Sequence, residues 1–193
     1  MSSPGKGIAI LSLCISLVSL GISLKSIKMS EKEYYSSRII ILKGTINKGN
    51  NELFLIPLDP NQHIQRLISY LPTAIDNTPW DLMPPNYSMP LGSVREKLQS
   101  FVESKFKRKP GYIFTTSNAH LPIIIDSVYI AKGELFSDRS EYILIYEWFL
   151  DDQRNKRPKI IFKALVFKEK LNLTSKPSLL LSREWEELVK QLN

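Results

Sequence analysis

The stretch EYILIYEWFLDDQRNKRPKIIFKALVFKE, residues 141–169, decides the fold class of this chain. Its two ends, 141–150 and 159–169, are rich in the β-branched and aromatic residues that favour strands. The segment between them, 151–158, is polar and charged and ends in a proline, which is typical of a hairpin loop. The stretch therefore predicts two consecutive strands that pair antiparallel.

Further strand-like runs precede this hairpin. GYIFTT (111–116) and LPIIIDSVYIAKG (121–133) come directly before it. Near the start of the domain, RIIILKGTI (38–46) and ELFLIPL (52–58) are joined by the glycine-containing connection NKGNN, which predicts another hairpin. Because the strands do not alternate regularly with helices, the pattern predicts an α+β fold with a mainly antiparallel sheet.

Two or three helices are expected to pack on this sheet. SVREKLQSFVESKFK (93–107) has helical apolar spacing, and Ser93 with Glu96 predicts a capping box. SREWEELVKQLN (182–193) predicts a closing helix with Ser182 as its N-cap. The segment DPNQHIQRLISYLP (59–72) fits both helical spacing and strand alternation, and we favour the helix.

A proline-rich segment, PTAIDNTPWDLMPPNYSMPLG (72–92), lies in the middle of the chain. Proline lacks an amide donor and restricts the residue before it, so we expect no regular element here. The apolar residues Trp80, Met83 and Tyr87 argue against a flexible linker. We expect a long ordered loop that is either a candidate binding loop or structural cover over the core.

The amino-terminal region contains an apolar run, GIAILSLCISLVSLGISLKSIK (7–28). Its first 18 residues, Gly7 to Leu24, carry no charge and would form roughly 27 Å of helix, close to the ~30 Å of a bilayer core. A cleaved signal peptide and a soluble helix are the alternatives. We favour a retained transmembrane helix, because the heptad pattern continues past the small-residue sites at which a signal would be cut.

This interpretation divides the chain into a short tail (1–6), a transmembrane helix (7–28), a juxtamembrane stalk (29–37) and an α+β domain (38–193). Lys25, Lys28 and Lys32 follow the uncharged stretch 7–24, which favours a cytoplasmic domain on the inner membrane of a bacterial cell. The predicted partner of residues 7–28 is the lipid bilayer. The sequence thus predicts a single-pass protein with a signal anchor.

Small residues recur along one stripe of the predicted span. Ser12, Ser16, Ser19 and Ser23 follow one another at spacings of three and four, which places them on one helix face. Small residues at this spacing let helix backbones approach closely. We expect the stripe to mediate self-association or docking on another membrane protein, with hydrogen bonding of the serines to their own helix as the alternative.

The charge balance is basic, with 26 Lys and Arg against 19 Asp and Glu, a formal net charge of +7. Two basic clusters contribute, one at the end of the 93–107 helix and one in the 151–158 loop. Their candidate anion-contacting residues are Lys107, Arg108, Lys109, Arg154, Lys156 and Arg157. We favour a solvated charged face as the explanation of both clusters. The alternative is contact with an anionic partner, for which anionic lipid is nearer to a membrane-tethered domain than nucleic acid, and nucleic acid is not the expected partner.

The sequence contains little that indicates catalysis. The two histidines, His63 and His120, are not in a metal-ligand spacing, and no phosphate-binding or nucleophile motif occurs. The one cysteine, Cys14, excludes an internal disulfide and a thiolate metal cage, and no cofactor is predicted. A membrane-tethered hydrolase using Asp126 and Glu147 is the enzymatic alternative, because each interrupts an apolar strand. The favoured interpretation is a membrane-anchored binding module.

Overall fold

The computed structural model describes residues 16–30, 39–153 and 156–190. The chain forms two compact units, Met1–Ile39 and Ile40–Asn193. The described helices are α1 (16–30), α2 (Leu91–Lys105) and α3 (Pro177–Lys190). The described strands are β1 (Leu42–Ile46), β2 (Glu52–Pro57), β3 (His63–Tyr70), β4 (Trp80–Leu82), β5 (Ser88–Pro90), β6 (Phe114–Ala131), β7 (Glu134–Leu150) and β8 (Lys159–Leu171).

In the first unit the described structure is helix α1, whose side chains are exposed along its whole described length. The predicted span begins at Gly7, so its first nine residues lie outside the described part, as do the tail 1–6 and most of the stalk. Within the described ranges no helix is both long enough and apolar enough to cross a membrane.

The second unit contains two antiparallel sheets, which confirms the α+β prediction. The larger sheet has the strand order β4-β3-β6-β7-β8. Its centre is the β6–β7 hairpin, whose strands have 18 and 17 residues and pair from Phe114 opposite Leu150 to Ala131 opposite Glu134. The connecting residues Lys132 and Gly133 have φ of 50° and 79°, the conformation of a type I′ turn.

The smaller sheet has the order β1-β2-β5 and packs close to β8. The amide of Leu42 in β1 donates a 3.0 Å hydrogen bond to the buried Tyr142 hydroxyl of β7. A Cβ added to Gly44 would lie 2.6 Å from Leu165 Cβ, so only glycine permits this approach. Asn50, in the β1–β2 connection, accepts from the Phe162 amide at 3.0 Å and donates to the Phe162 carbonyl at 2.8 Å. Its side chain thus occupies a position on β8 that another strand would otherwise pair with.

Both helices of this unit bury one face. The buried residues of α2 are Leu91, Val94, Leu98 and Val102, and those of α3 are Leu181 and Trp185. The Trp185 ring lies 5.0 Å from the ring of Phe101, so the two helices meet. Helix α3 packs along β6, whose first half extends beyond the end of β3.

Several local predictions were wrong. Residues 63–70 form strand β3 rather than a helix, because Leu67 and Ser69 alternate into the core and the strand pairs with β6. The Ser93–Glu96 capping box does not form, since α2 begins at Leu91 with Pro90 as its N-cap. Ser182 is not an N-cap, because α3 already begins at Pro177.

The proline-rich segment and the strands after α2 also differ from the prediction. Residues 72–92 include two strands of three residues each, β4 and β5, with a cis peptide bond between Pro84 and Pro85. The short edge positions of β4 and β5 tolerate the neighbouring prolines. The runs 111–116 and 121–133 were predicted as two strands, but residues 114–131 form one strand, β6, with an irregularity between Thr116 and Ala119. Residues 111–113 precede this strand.

Candidate functional site

The two predicted basic clusters lie at the same end of the second unit. Helix α2 ends at Lys105 and β6 begins at Phe114, while β7 ends at Leu150 and β8 begins at Lys159. Because Phe114 pairs with Leu150 and Phe149 pairs with Lys159, both connections emerge from one end of the large sheet. We call residues 103–113 with residues 151–153 and 156–159 the basic end. Arg154 lies outside the described residues.

Arg108 joins the two connections that form the basic end. Its Nη1 donates to the carbonyls of Asp151 and Gln153, each at 2.8 Å, and its Nη2 donates to the Lys156 carbonyl at 2.6 Å. Nη2 also contacts Glu103 Oε1 at 3.1 Å. The Arg108 side chain is only 16% exposed. Its role is therefore to position the basic end, and a guanidinium fork suits this role because it presents several donors in one plane.

The cations around Arg108 remain accessible. Lys105, Lys107 and Lys109 are exposed on the α2 side, and Lys156, Arg157 and Lys159 are exposed on the hairpin side. Lys156 Nζ lies 3.2 Å from Asp151 Oδ2. Partial burial alone would raise the pKa of Asp151, but the bond to Lys156 and the charge of Arg108 lower it overall. Asp151 is thus ionised at neutral pH and helps to hold the two cations in place.

An apolar pair lies at the tip of the basic end. Tyr112 is 64% exposed and Ile113 is 70% exposed. The turn before them is held by two hydrogen bonds, from the Gly111 amide to Asp152 Oδ2 at 3.0 Å and from the Tyr112 amide to the Lys109 carbonyl at 3.1 Å. The backbone φ of Gly111 is 77°, a conformation that favours glycine. The sequence pattern predicted residues 111–116 as a strand, in which Tyr112 and Ile113 would pair with a neighbouring strand. It therefore did not identify these two residues as an exposed pair.

The candidate binding loop is used mainly within the fold. The indole Nε1 of Trp80 donates to Asp76 Oδ2 at 3.2 Å, and the Tyr87 hydroxyl donates to the Ile64 carbonyl at 2.9 Å. Both rings pack against the core. Met83 is 70% exposed, so it is the member of the predicted trio that offers a free side chain to a partner.

The carboxylates Asp126 and Glu147 are not brought together. Asp126 lies opposite Arg139 and forms two 2.6 Å bonds with its guanidinium, and its Oδ2 accepts from the Tyr70 hydroxyl at 3.2 Å. Glu147 lies on β7, eight residues beyond the Arg139 that faces Asp126, so the two carboxylates are about 26 Å apart. Glu147 pairs with Lys163 at 2.9 Å. Each carboxylate is neutralised by its own cation, so the geometry does not support a catalytic pair.

A second carboxylate cluster was not predicted from the sequence. Lys168 Nζ bonds Glu141 Oε1 at 2.9 Å and Glu184 Oε1 at 2.7 Å, which ties α3 to β7 and β8. Burial, followed by the neighbouring Glu184 carboxylate, raises the pKa of Glu141 to about 7. Burial opposes ionisation of Glu184 too, but its bonds to Glu141 and Lys168 lower its pKa overall. No local sequence signal could reveal this cluster, because its members come from three separate elements.

Three of the four predicted association serines lie within the described residues. Ser16, Ser19 and Ser23 lie on α1 and are exposed, and Ser12 lies outside the described residues. In the part of the chain that is described, no group of three or more His, Cys, Asp or Glu residues could hold a metal ion.

Two depressions lie beside α2 and α3. One is a groove of about 540 Å³ next to α2, lined among others by Lys97, Phe101 and Arg157. The other, of about 200 Å³, lies between His120, Tyr146 and Trp185. Lys97 forms an ion pair with Asp76, so the first groove has one cation already engaged.

Comparison with known proteins adds no assignment. No family model, curated protein or solved structure matches the chain. The class that the fold defines is therefore an α+β domain of two antiparallel sheets with a basic end, preceded by a helix.

Proposed function

We propose that the chain is a single-pass membrane-anchored protein whose α+β domain is a binding module for an anionic partner. The observation that carries the proposal is the Arg108 network, which joins two basic segments from distant parts of the chain into one surface. Lysines on either side of Arg108 remain exposed, as a contact surface for anions requires.

The membrane anchor is proposed from residues 7–28. The uncharged stretch 7–24 has the length of a bilayer core, and Lys6 and Lys25 flank it. In the described part of α1, seven large apolar side chains are more than half exposed: Leu17, Val18, Leu20, Ile22, Leu24, Ile27 and Met29. A helix that is apolar around most of its circumference is stable when lipid or another helix surrounds it.

The serine stripe supports association in the membrane. Ser12, Ser16, Ser19 and Ser23 would form the closest contact with a second copy of the chain or with another membrane helix. The lysines after the span favour a domain on the cytoplasmic side of the inner membrane, where anionic lipids are present. We do not propose the hydrolase alternative, because Asp126 and Glu147 each have a separate cationic partner.

The contact surface is tested by charge removal at two matched sets of lysines. Lys105→Gln, Lys107→Gln and Lys109→Gln are combined in one variant of the full chain, purified in an uncharged detergent. The control combines Lys43→Gln, Lys132→Gln and Lys176→Gln, which removes the same charge from exposed residues outside the basic end. Both variants are eluted with salt from a column that carries heparin as a polyanionic probe.

We expect the basic-end variant to elute at clearly lower salt than the control variant, because clustered cations release more counterions than dispersed ones. Equal elution of the two variants would show that net charge alone decides the interaction, and it would refute the basic end as a contact surface. Circular dichroism of both variants shows whether they retain the α+β fold.

A further inference from the structure

The tip of the basic end combines an exposed pair of large side chains with a cluster of exposed cations. The adjacent residues Tyr112 and Ile113 are 64% and 70% exposed. The side chain of Ile113 is a pure hydrocarbon. They follow the exposed lysines of the α2 end within a few residues. Two large exposed side chains that follow several exposed lysines form an amphipathic contact surface.

The tip is fixed rather than loosely attached. The Gly111 amide donates a hydrogen bond to Asp152, and the Tyr112 amide donates one to the Lys109 carbonyl. Next to Lys109, Arg108 is hydrogen-bonded to the β7–β8 connection. These hydrogen bonds fix the turn that leads into Tyr112 and Ile113, both of which are exposed.

The charge around the tip is positive. The described part of the basic end holds seven cations: Lys105, Lys107, Arg108, Lys109, Lys156, Arg157 and Lys159. It holds three carboxylates, Glu103, Asp151 and Asp152, and each of these is engaged by Arg108, Lys156 or the Gly111 amide. The described part of the basic end, which includes the apolar pair, therefore carries a surplus of four positive charges.

An anionic bilayer fits this combination better than nucleic acid does. Phosphate groups of either partner would pair with the lysines, but nucleic acid takes up an isoleucine only by unstacking its bases, which costs about a few kcal/mol per step. A lipid interface accepts both residues, since a tyrosine ring lies well at the headgroup level and an aliphatic side chain reaches the acyl boundary. If residues 7–28 are the anchor, the 11 residues before Ile40 keep the domain within about 40 Å of the bilayer.

We propose that Tyr112 and Ile113 insert into the anionic leaflet of the membrane while the surrounding lysines contact lipid headgroups. This inference rests on the proposed anchoring and on the basic end as a contact surface, and it names the partner of that surface. The domain would then have a membrane-apposed state that depends on the fraction of anionic lipid.

The test places an environment-sensitive fluorophore at the tip of the full-length chain. In a Cys14→Ser background, Ile113→Cys is labelled with a nitrobenzoxadiazole probe and reconstituted into vesicles. The matched control labels Leu135→Cys, because Leu135 is also 66% exposed and lies at the other end of the β6–β7 hairpin, roughly 50–60 Å away. The vesicles contain phosphatidylcholine alone or phosphatidylcholine with phosphatidylglycerol, each with or without a spin-labelled lipid quencher.

We expect the probe at position 113 to shift to the blue and to be quenched by the spin-labelled lipid in the anionic vesicles only. The probe at position 135 should stay in water in both kinds of vesicle. Adding Lys105→Gln, Lys107→Gln and Lys109→Gln should return the probe at position 113 to water, because each lysine near an anionic surface strengthens the contact by about fivefold.

Three results would overturn the inference: a probe at position 113 that stays in water in anionic vesicles, one that is quenched equally in zwitterionic vesicles, and equal quenching at positions 113 and 135. Blue-shifting of the probe by a short RNA instead of by lipid would also overturn it, in favour of nucleic acid. If the heparin experiment succeeds and this one fails, the basic end remains a contact surface but its partner is not the bilayer. If both fail, the proposed function fails as well.

Discussion

Arg108 shows how a single residue converts two basic segments into one surface. The sequence predicted it as one of several anion contacts, but its guanidinium is engaged by the chain itself. Three of its acceptors are backbone carbonyls between 43 and 48 residues away in sequence. Local sequence shows that Arg108 is positively charged, but it cannot show a partner that is defined by the backbone of a distant loop.

At the same scale, Glu141 gives a prediction for the pH dependence of stability. Its carboxyl has a pKa raised to about 7, against an ordinary value of 4.5. The folded state therefore holds a proton more tightly than the unfolded chain between pH 4.5 and 7, and the stability from this group is lost as pH rises through that window. Glu184 acts in the opposite direction, since its lowered pKa favours the folded state above its ordinary value.

Glu141→Gln should remove the loss at higher pH, because the amide stays neutral while its oxygen can still accept from Lys168. We expect the variant to match the wild-type chain at pH 5 and to exceed its free energy of unfolding by about 1–2 kcal/mol at pH 8. Denaturant unfolding followed by tryptophan fluorescence measures both values. Glu186→Gln, an exposed position on α3, the helix that carries Glu184, is the control and should leave the difference between the two pH values unchanged.

At the scale of elements, the strands could be predicted where the pattern was unambiguous. The run 141–150 alternates cleanly, and β7 has Tyr142, Leu144, Tyr146 and Trp148 buried in turn. Strand β3 could not be assigned because Ile64, Leu67, Ile68 and Leu71 also satisfy helical spacing. What decides its conformation is pairing with β6, some 60 residues away in sequence, and a local pattern does not contain that information.

The candidate site could also be predicted only in part. The sequence identifies the two basic segments, and the antiparallel order of β6, β7 and β8 brings them to one end. It does not identify Tyr112 and Ile113, because their exposure depends on the turn that Asp152 and Lys109 hold. It placed Trp80 and Tyr87 on a candidate binding surface, and their hydrogen bonds to Asp76 and Ile64 draw them into the fold.

The contact between the two sheets is tested by a pair of glycine substitutions. Gly44→Ala introduces a Cβ 2.6 Å from Leu165 Cβ, so the sheets must separate, and we expect a loss of about 1–3 kcal/mol in the free energy of unfolding. Gly92→Ala in the first turn of α2 meets nothing within 4 Å and should be neutral or stabilise by up to about 1 kcal/mol. If both variants are equally stable in denaturant unfolding, β1 does not pack on β8 as described.

At the scale of the whole molecule, the chain has an apolar amino-terminal helix and a domain with one basic end. Seven large apolar side chains of α1 are more than half exposed, which is typical of a helix that lipid or another helix covers. A bilayer would supply that cover, and the serine stripe would add contacts between helices. The proposed insertion of Tyr112 and Ile113 rests on this anchor, whereas the basic end as a contact surface for anions does not.

Extraction of membranes with alkaline carbonate tests the anchor most directly. The full chain and a chain lacking residues 1–28 are expressed in the same cells, and both are followed through extraction and centrifugation. We expect the full chain to remain in the membrane pellet, because carbonate releases peripheral proteins but not a spanning helix. The shortened chain should move to the supernatant. Release of the full chain into the supernatant together with the shortened one would contradict the account.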